Sequence, residues 1–308
     1  MPDMRESTWK SWLKLSRPEF HTVGVFPLLL GAALGYRASG SLEPVALALA
    51  LLATVLIMLV TYWTGEVFDY DVDALSARLE KNRFSGGTLV LQTTGLAREH
   101  VLKAAWAAAL LALAVGVWLA WGMGYGSSLF VAGAAGGAMG FFYSTPPFRW
   151  AYRGLGEVFI ALAYGWLPVA VGYFIQARMW DLVPILVYGA PVAISIFLVI
   201  LINEFPDYPA DLRMNKRNLV VRLGRERAAA LYAAGAVVFA AVVALFALAG
   251  ERPFLFALPT AVLALANALA MGRGQWRHRE RLEALCARTL IVNIAGTLLL
   301  TAGVLLMP

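Results

Sequence analysis

Long apolar stretches separated by short polar segments occupy this chain from about residue 20 to its C-terminal end. Each stretch approaches the ~20 residues that an α-helix needs to cross the hydrocarbon of a bilayer. The pattern predicts an all-α, polytopic membrane protein with nine transmembrane helices. The predicted helices span residues 20–37, 42–66, 99–121, 125–143, 155–176, 181–203, 228–249, 253–272 and 286–307.

Composition supports the membrane assignment. The 308 residues are 60% hydrophobic and 14% charged, whereas a soluble domain has about 25% charged residues. We therefore expect a single membrane domain over residues 1–308. Cys286 is the only cysteine, which excludes an internal disulfide framework. Residues 1–20 lack the apolar core of a cleavable signal, and Trp9 and Trp12, set among lysines, predict a short helix on the membrane surface.

Basic residues predict the orientation of the chain in the membrane. With the N-terminus inside, 22 of the 25 Lys and Arg residues lie in or beside inner segments, and only Arg37, Arg178 and Arg252 lie outside. The positive-inside rule then places the N-terminus in the cytoplasm and Pro308 outside, as in an integral protein of the cell inner membrane. The basic residues are spread over separate loops, so the net charge of +6 does not indicate nucleic acid as a partner.

One nine-residue pattern occurs twice, at residues 65–73 and 203–211, and each copy ends a long apolar stretch. The second and sixth predicted helices run in the same direction, so the repeat is parallel. We expect a pseudo-repeat of about four helices, residues 20–143 and 155–272, followed by a ninth helix at 286–307. In the gapless alignment Glu66 matches Glu204, Asp69 matches Asp207, Tyr70 matches Tyr208 and Asp73 matches Asp211.

The two longest polar segments follow these two copies, at about residues 67–98 and 204–227. Both are predicted on the cytoplasmic side, after the second and sixth helices. We expect them to act as cap loops that exclude water from a central cavity.

The carboxylates of each copy are spaced for one helix face. In the first copy Glu66, Asp69 and Asp73 stand at i, i+3 and i+7, which a helix brings together, whereas Asp71 lies off that face. Carboxylates at a helix C-terminus meet the negative end of the helix dipole, so they need cations or basic side chains nearby. Carboxylates are also costly beside a bilayer, and a matched pair of clusters therefore indicates binding of divalent cations.

Prolines and basic residues distinguish the two copies and their surroundings. Pro206 and Pro209 predict that the helix ends or kinks within the second copy. Carboxylates that face each other across a cavity, with Lys and Arg beside them, suit Mg²⁺ together with a polyphosphate. Carboxylates alone would suit calcium, and ordinary solvated loop charges are a further interpretation. The basic residues that follow the copies are Lys81, Arg83, Arg213, Lys216, Arg217 and Arg222.

The combination resembles the UbiA-type intramembrane prenyltransferases over essentially the whole chain. Residues 203–211 (N-E-F-P-D-Y-P-A-D) and 215–224 (N-K-R-N-L-V-V-R-L-G) are similar to the second Asp-rich signature of that family. Residues 143–157, which begin Y-S-T-P-P-F-R, resemble its loop after the fourth helix, and Arg17-Pro18 fits the segment before the first helix. The form is closest to the quinone-pathway members that prenylate a dihydroxynaphthoate ring.

The resemblance implies a transferase of the EC 2.5.1 class that moves a polyprenyl group from its diphosphate to an aromatic or quinone-precursor acceptor within the membrane. Mg²⁺ would bridge the carboxylates and the diphosphate. The implied main ligands are Asp69, Asp73, Asp207 and Asp211, with Glu66, Asn203 and Glu204 as further candidates. The implied diphosphate-binding residues are Lys81, Arg83, Lys216, Arg217 and Arg222.

The allylic cation needs a dry pocket with an aromatic face. Tyr143 is the first candidate for that face by motif match, and Tyr70 and Tyr208 are alternatives. Arg149 and Arg153 suit either an acceptor carboxylate or lipid headgroups.

The first copy departs from the family pattern at one position. The family usually has Asn where this chain has Gly65, which carries no ligand atom. This departure keeps open a non-catalytic member of the same fold. The repeated acidic clusters also keep open an ion or solute transporter with repeated acidic cation sites. The acceptor, the prenyl chain length, the oligomeric state and protein partners also stay open.

Overall fold

The structure is a computed structural model that describes residues 8–307, and within that range it contains helices and no strand. Two of the long helices contain π-helical segments. Helix α6 continues into the segment Trp118–Gly122, and the segment Ala161–Trp166 joins α8 to α9. The α-helices are α1 (Thr8–Leu15), α2 (Thr22–Ser39), α3 (Pro44–Phe68), α4 (Tyr70–Ala77), α5 (Val90–Thr93), α6 (Arg98–Val117), α7 (Ser127–Phe141), α8 (Gly156–Ile160), α9 (Leu167–Ala177), α10 (Leu182–Asn203), α11 (Tyr208–Arg213), α12 (Leu219–Leu223), α13 (Arg225–Leu248), α14 (Phe254–Gly272) and α15 (Arg279–Leu306).

Eight helical stretches in the described part of the chain are long and apolar enough to cross a membrane. The fourth predicted helix, at 125–143, corresponds to α7, which has 15 residues and is shorter than the other eight. The last helix begins at Arg279, seven residues before its predicted start at 286. Four of the seven residues 279–285 are charged. Arg, Glu, Leu and Ala are strong helix formers, however, so the helix extends beyond the apolar stretch.

Helices α2 and α9 form a contact in which backbone meets backbone. A Cβ atom on Gly31 would lie 2.0 Å from the carbonyl oxygen of Val169, and one on Gly172 would lie 2.1 Å from the carbonyl oxygen of Leu28. Only glycine permits this approach, which is typical of tightly packed membrane helices.

The remaining helices pack on either side of this pair. On one side α3 lies against α6 and α7, and on the other α10 lies against α13 and α15, with α14 between α13 and α15. Helix α15 also contacts α2. The C-terminal ends of α3 and α10, which carry the two acidic copies, come together between the two sides.

The short helix α1 corresponds to the one expected near the N-terminus. Leu15 is fully buried, and the Trp12 ring meets the Trp63 ring edge-on at 5.6 Å between centroids. Trp9 and Leu13 are exposed. The inner face of α1 therefore packs on α3 and carries the chain towards Arg17.

Candidate active site

The first acidic copy spans a break between two helices. Asp69 joins α3 to α4 with φ −98° and ψ 7°, so it is not helical. Its N–H still donates to the carbonyl oxygen of Gly65 at 2.8 Å, and its carbonyl oxygen accepts from the N–H of Asp73 at 2.9 Å. The side chains of Glu66, Asp69 and Asp73 line the same cavity.

The non-helical segment between the two helices is longer in the second copy. Helix α10 ends at Asn203, and α11 begins at Tyr208 after a turn that contains Pro206. Pro209 stands in the first turn of α11, where its missing N–H leaves no hydrogen bond unmade. The helix therefore ends within this copy, as its two prolines predict.

Both copies line one cavity of about 200 Å³. The Oδ1 atoms of Asp73 and Asp207 each lie 3.4 Å from the position of a Cβ on Gly86, so they are at most twice that distance apart. Asp71 points away and is exposed beside Arg98. The expected site residues that line this acidic cavity are Glu66, Asp69, Asp73, Tyr143, Asn203, Glu204, Asp207, Asp211 and Lys216.

Asp69 is the most heavily bonded of these carboxylates. It accepts hydrogen bonds from the hydroxyls of Ser144 and Tyr152, both at 2.8 Å, and pairs with the ammonium of Lys216 at 3.2 Å. Sequence reasoning assigned no role to Ser144 or Tyr152. Both lie in the segment 143–157 that resembles a family loop, and this is the signal that could have found them.

Side chains from each copy's segment bind acids of the other copy. Lys216, which follows the second copy, pairs with Asp69 of the first. Ser76, on α4 after the first copy, donates its hydroxyl to Asp207 of the second. The two copies are therefore held face to face by direct contacts.

Burial and neighbouring carboxylates disfavour the charged forms of two acids in the cavity. Burial, followed by the charge of Asp69, raises the pKa of Asp73 to about 8. Burial also raises the pKa of Asp211 to about 7, although Lys216 opposes the shift. Burial disfavours the charged form of Lys216, but the negative charges of Asp69 and Asp211 outweigh burial and hold the pKa of Lys216 well above its usual range.

Several buried oxygens in the cavity have no hydrogen-bond partner. Carboxylate and amide oxygens are the ligands that Mg²⁺ prefers, so this donor set fits a hard divalent cation. In residues 8–307 no three acidic, histidine or cysteine side chains form a ready-made metal site. The set therefore fits a cation that also takes water or phosphate oxygens. The unpartnered oxygens are Glu66 Oε2, Asn203 Oδ1, Glu204 Oε2 and Asp211 Oδ1.

The expected diphosphate-binding residues are not all brought together. Lys216 lines the cavity, and Lys81 reaches its edge, where Nζ donates to the carbonyl oxygen of Ser85. Arg83 instead pairs with Glu283 on an exposed surface, at 3.2 Å. Arg217 and Arg222 are also exposed, outside the cavity lining.

Arg17 enters the cavity from the N-terminal segment and was assigned no role from the sequence. Its Nη2 donates to Glu66 Oε1 at 3.2 Å and to the carbonyl oxygen of Gly86 at 2.7 Å. The only sequence signal was the Arg17-Pro18 pair, which fits the family but indicates no contact.

Of the three tyrosines considered for the aromatic face, one lines the acidic cavity and two do not. The Tyr143 ring lines the cavity, and burial raises the pKa of its phenol well above the usual value. Tyr70 and Tyr208 lie outside the lining, against the guanidinium groups of Arg98 and Arg225 at 3.6 and 4.8 Å from the ring centroids. Of the three tyrosines, only Tyr143 offers a face to a bound ligand.

The two arginines of the loop after α7 bind within that loop. Arg149 stacks on the Tyr152 ring, 3.6 Å from its centroid, and Arg153 donates to the carbonyl oxygen of Pro147 at 3.0 Å.

Gly65 leaves room in the cavity wall. A Cβ placed there would meet only the hydroxyl of Ser144, at 3.9 Å. The Cβ of the asparagine that the family usually carries would therefore fit beside Ser144.

A second cavity, of about 340 Å³, adjoins the acidic one and is lined almost entirely by apolar side chains of α3, α6, α7 and α9. Tyr164 lines both cavities, and its hydroxyl donates to the hydroxyl of Thr61 at 2.8 Å. Trp106 and Leu113, in the wall of the apolar cavity, are about half-exposed on the outer face of the molecule.

Comparison with solved structures supports the fold. A digeranylgeranylglyceryl phosphate synthase superposes with a TM-score of 0.67 at 12% identity, covering 97% of this chain and 99% of the other. A UbiA homologue from Archaeoglobus fulgidus, bound to GPP and Mg²⁺, superposes with a TM-score of 0.64 at 18% identity, covering 94% and 99%.

Comparison with characterised sequences points to the same family. A 2-carboxy-1,4-naphthoquinone phytyltransferase of Synechocystis sp. is 26% identical over 95% of this chain and 92% of its own length. A 1,4-dihydroxy-2-naphthoate octaprenyltransferase of Bacillus subtilis is 28% identical over 82% of this chain and 78% of its own length. The model of the UbiA prenyltransferase family matches residues 24–296. This integral membrane protein is a prenyltransferase and belongs to the UbiA prenyltransferase family.

Proposed function

We propose that this protein transfers a polyprenyl group from its diphosphate to an aromatic, quinone-precursor acceptor within the bilayer, and that the transfer depends on Mg²⁺. The observation that carries the proposal is the meeting of two acidic copies across one cavity that also contains a buried lysine. Carboxylates on both sides and an ammonium between them suit a diphosphate held with divalent cations.

We assign the cation-binding oxygens to the residues that line the acidic cavity. Bound Mg²⁺ would neutralise charge on the diphosphate as the allylic C–O bond breaks. Lys216 supplies a further positive charge to the leaving group, and Lys81 stands at the cavity edge for the same purpose. The ring of Tyr143 faces the position where the allylic cation forms. The proposed ligands are Glu66, Asp69, Asp73, Asn203, Glu204, Asp207 and Asp211.

The apolar cavity provides a place for the isoprenoid chain. Its lining matches a hydrocarbon, and Tyr164 and Thr61 stand where it meets the acidic cavity. Half-exposed residues in its wall give the chain a path to the lipid. The acceptor would then approach the reacting carbon beside Tyr143, away from water.

The membrane arrangement that we propose has nine spanning helices, with α7 as the short one. The N-terminus is cytoplasmic and the C-terminus is outside the cell inner membrane. Residues 67–98 and 204–227 form caps over the acidic cavity. The two four-helix units of the pseudo-repeat then bring one acidic copy each to the cytoplasmic face.

For the acceptor we propose the dihydroxynaphthoate class. The two characterised relatives named above act, by their names, on naphthoate or naphthoquinone rings. Their identity to this chain is 26% and 28%, so the support is for the ring class.

Membranes containing this protein should convert labelled geranylgeranyl diphosphate and 1,4-dihydroxy-2-naphthoate into a prenylated product. Removal of divalent cations with EDTA should abolish the product, and added Mg²⁺ should restore it, because the carboxylates cannot hold the diphosphate alone. Mass analysis of extracted lipids measures the product, with hydroxybenzoate and glycerol phosphate as competing acceptors. Product formation that is unaffected by EDTA would contradict the proposed dependence on metal.

Filling the apolar cavity should select against long donors. Gly133 lines this cavity, and a Cβ there would meet no atom within 4 Å. Gly133→Phe should therefore reduce transfer from geranylgeranyl diphosphate by about tenfold while transfer from dimethylallyl diphosphate changes little. The matched control is Val131→Phe, because Val131 is 63% exposed on the same helix. Equal losses of transfer activity with both donors would mean that the isoprenoid chain binds outside this cavity.

A further inference from the structure

A short loop without acidic or basic side chains lies inside the acidic cavity. Ser85, Gly86 and Gly87 line the cavity between the two copies. The N–H of Gly86 donates to Asp207 Oδ2 at 2.7 Å, and the N–H of Thr88 donates to Glu66 Oε1 at 2.6 Å. One stretch of backbone therefore binds an acid of each copy.

The carbonyl groups of the same loop bind the basic residues of the cavity edge. The carbonyl oxygen of Gly86 accepts from Arg17 at 2.7 Å, and that of Ser85 accepts from Lys81. The loop thus presents N–H groups to carboxylates, where cations would bind, and oxygens to basic side chains, where phosphate oxygens would bind. The main-chain groups of the loop thus bind the same carboxylates and basic side chains that a diphosphate with its cations would bind.

The loop approaches the carboxylates so closely that side chains would interfere. A Cβ on Gly87 would lie 2.2 Å from Asp73 Oδ2, and Gly86 has a positive φ of 63°. Glycine is the residue that allows a backbone to come this close to a ligand and to adopt that conformation. In other proteins, successive backbone N–H groups in turns form anion-binding sites.

Unsatisfied carboxylates independently indicate that a cationic ligand belongs here. Glu66 and Asp211 are each only 2% exposed, and each has one oxygen without a hydrogen-bond partner. A buried acceptor without a partner costs free energy that a ligand would recover. The loop contacts therefore do not complete the site.

We propose that the Ser85–Thr88 loop is a main-chain binding element for the diphosphate of the prenyl donor, an inference that rests on the proposed function. When cations and donor are bound, the N–H groups of Gly86 and Thr88 leave Asp207 and Glu66 and donate to phosphate oxygens. Arg17 and Lys81 turn from the loop carbonyls to the same anion.

The exchange has an electrostatic cause. A divalent cation draws electron density from the carboxylate oxygen that it binds, and this weakens the hydrogen bond that the oxygen accepts from an N–H group. Phosphate oxygens are strong acceptors of charge-assisted hydrogen bonds. The loop backbone therefore gains by moving from the acids to the diphosphate, and its adjacent glycines allow that movement.

The test replaces Gly86 in the purified full-length protein. Gly86→Ala strains the positive φ, and its Cβ would lie 2.9 Å from Lys81 Nζ but 3.4 Å from Asp73 and Asp207. Binding of inorganic pyrophosphate in excess Mg²⁺ is measured by calorimetry, together with KM and kcat for the donor. Gly86→Ala should weaken pyrophosphate binding and raise the donor KM by about tenfold each, with kcat changed by less than about threefold.

Gly95→Ala is the matched control. Gly95 has a similar positive φ of 73°, and a Cβ there would meet no atom within 4 Å. The Gly95→Ala variant should bind pyrophosphate as tightly as the unmodified protein does. Should Gly86→Ala fail to fold by thermal melting, Gly86→Asn tolerates positive φ better and serves in its place.

The outcomes separate this inference from the proposed function. Unchanged binding in the Gly86 variant would overturn the inference alone. Tighter binding would also overturn it, because the loop would then only obstruct the cavity. An unmodified protein that binds no pyrophosphate in Mg²⁺ would remove the proposed function itself, and the inference with it.

Discussion

Replacing Asp207 by Asn should abolish Mg²⁺-dependent prenyl transfer, with kcat/KM at least about 10³-fold lower. Asparagine keeps the size of the side chain but removes the charge that we assign to cation binding. A bound cation contributes several kcal/mol to stabilising charge in the transition state, and about 4 kcal/mol corresponds to this factor. Asp69→Asn should have a comparable effect, because Asp69 faces Asp207 across the same cavity. Product formation in membranes measures both variants.

Asp71→Asn provides the matched control. Asp71 belongs to the same acidic copy, but its side chain is 74% exposed and lies outside the cavity. We expect this variant to retain full activity. If Asp207→Asn kept its transfer activity but lost an ion flux in proteoliposomes, the transporter interpretation would replace the enzyme.

Replacing Gly172 by Ala should destabilise the protein by about 3 kcal/mol or more. The added Cβ would lie 2.1 Å from the carbonyl oxygen of Leu28, so α2 and α9 would have to separate along their contact. Overpacking against side chains typically costs 1–3 kcal/mol, and backbone yields less than a side chain does. Thermal melting of the detergent-solubilised protein should show a midpoint roughly 10 °C lower.

Gly272→Ala is the control for this substitution. Gly272 ends α14, and a Cβ there would meet no atom within 4 Å. Its melting midpoint should equal or slightly exceed that of the unmodified protein, since alanine favours helices over glycine. A Gly172→Ala midpoint equal to that of Gly272→Ala would mean that the close contact of α2 and α9 does not limit stability.

The sequence predicts the helices well because each apolar stretch must be long enough to cross a bilayer. The predicted second helix, 42–66, agrees with α3 to within two residues at each end. The spacing of Glu66, Asp69 and Asp73 likewise predicts their common face, although Asp69 interrupts the helix. Local periodicity survives this break because the hydrogen bonds on both sides of Asp69 are helical in spacing.

Apart from the meeting of the two acidic copies, contacts between distant segments could not be predicted from the sequence. Among the four glycines of α7, Gly140 packs closely on the side chain of Thr61 and Gly133 faces a cavity. The contact of backbone with backbone is made instead by Gly31 and Gly172. Arg17 and Gly86 meet in the acidic cavity across 69 positions of the chain. Which helix faces meet depends on the packing of the whole bundle, and no local pattern encodes it.

The basic residues show the same limit. Lys216 and Arg217 are neighbours in the sequence, but Lys216 is held in the cavity by Asp69 and Arg217 is exposed. The number of basic residues therefore predicts an anion-binding site, whereas the backbone conformation decides which basic side chains reach that site.

The reciprocal contacts between the copies have a consequence for assembly of the protein during synthesis. Asp69 emerges from the ribosome long before Lys216, and Ser76 long before Asp207. Until the later half inserts, Asp69 lacks its cationic partner. Docking of the second half supplies that partner. The ion pair between Asp69 and Lys216 in the acidic cavity thereby favours correctly paired halves of the protein over misassembled ones.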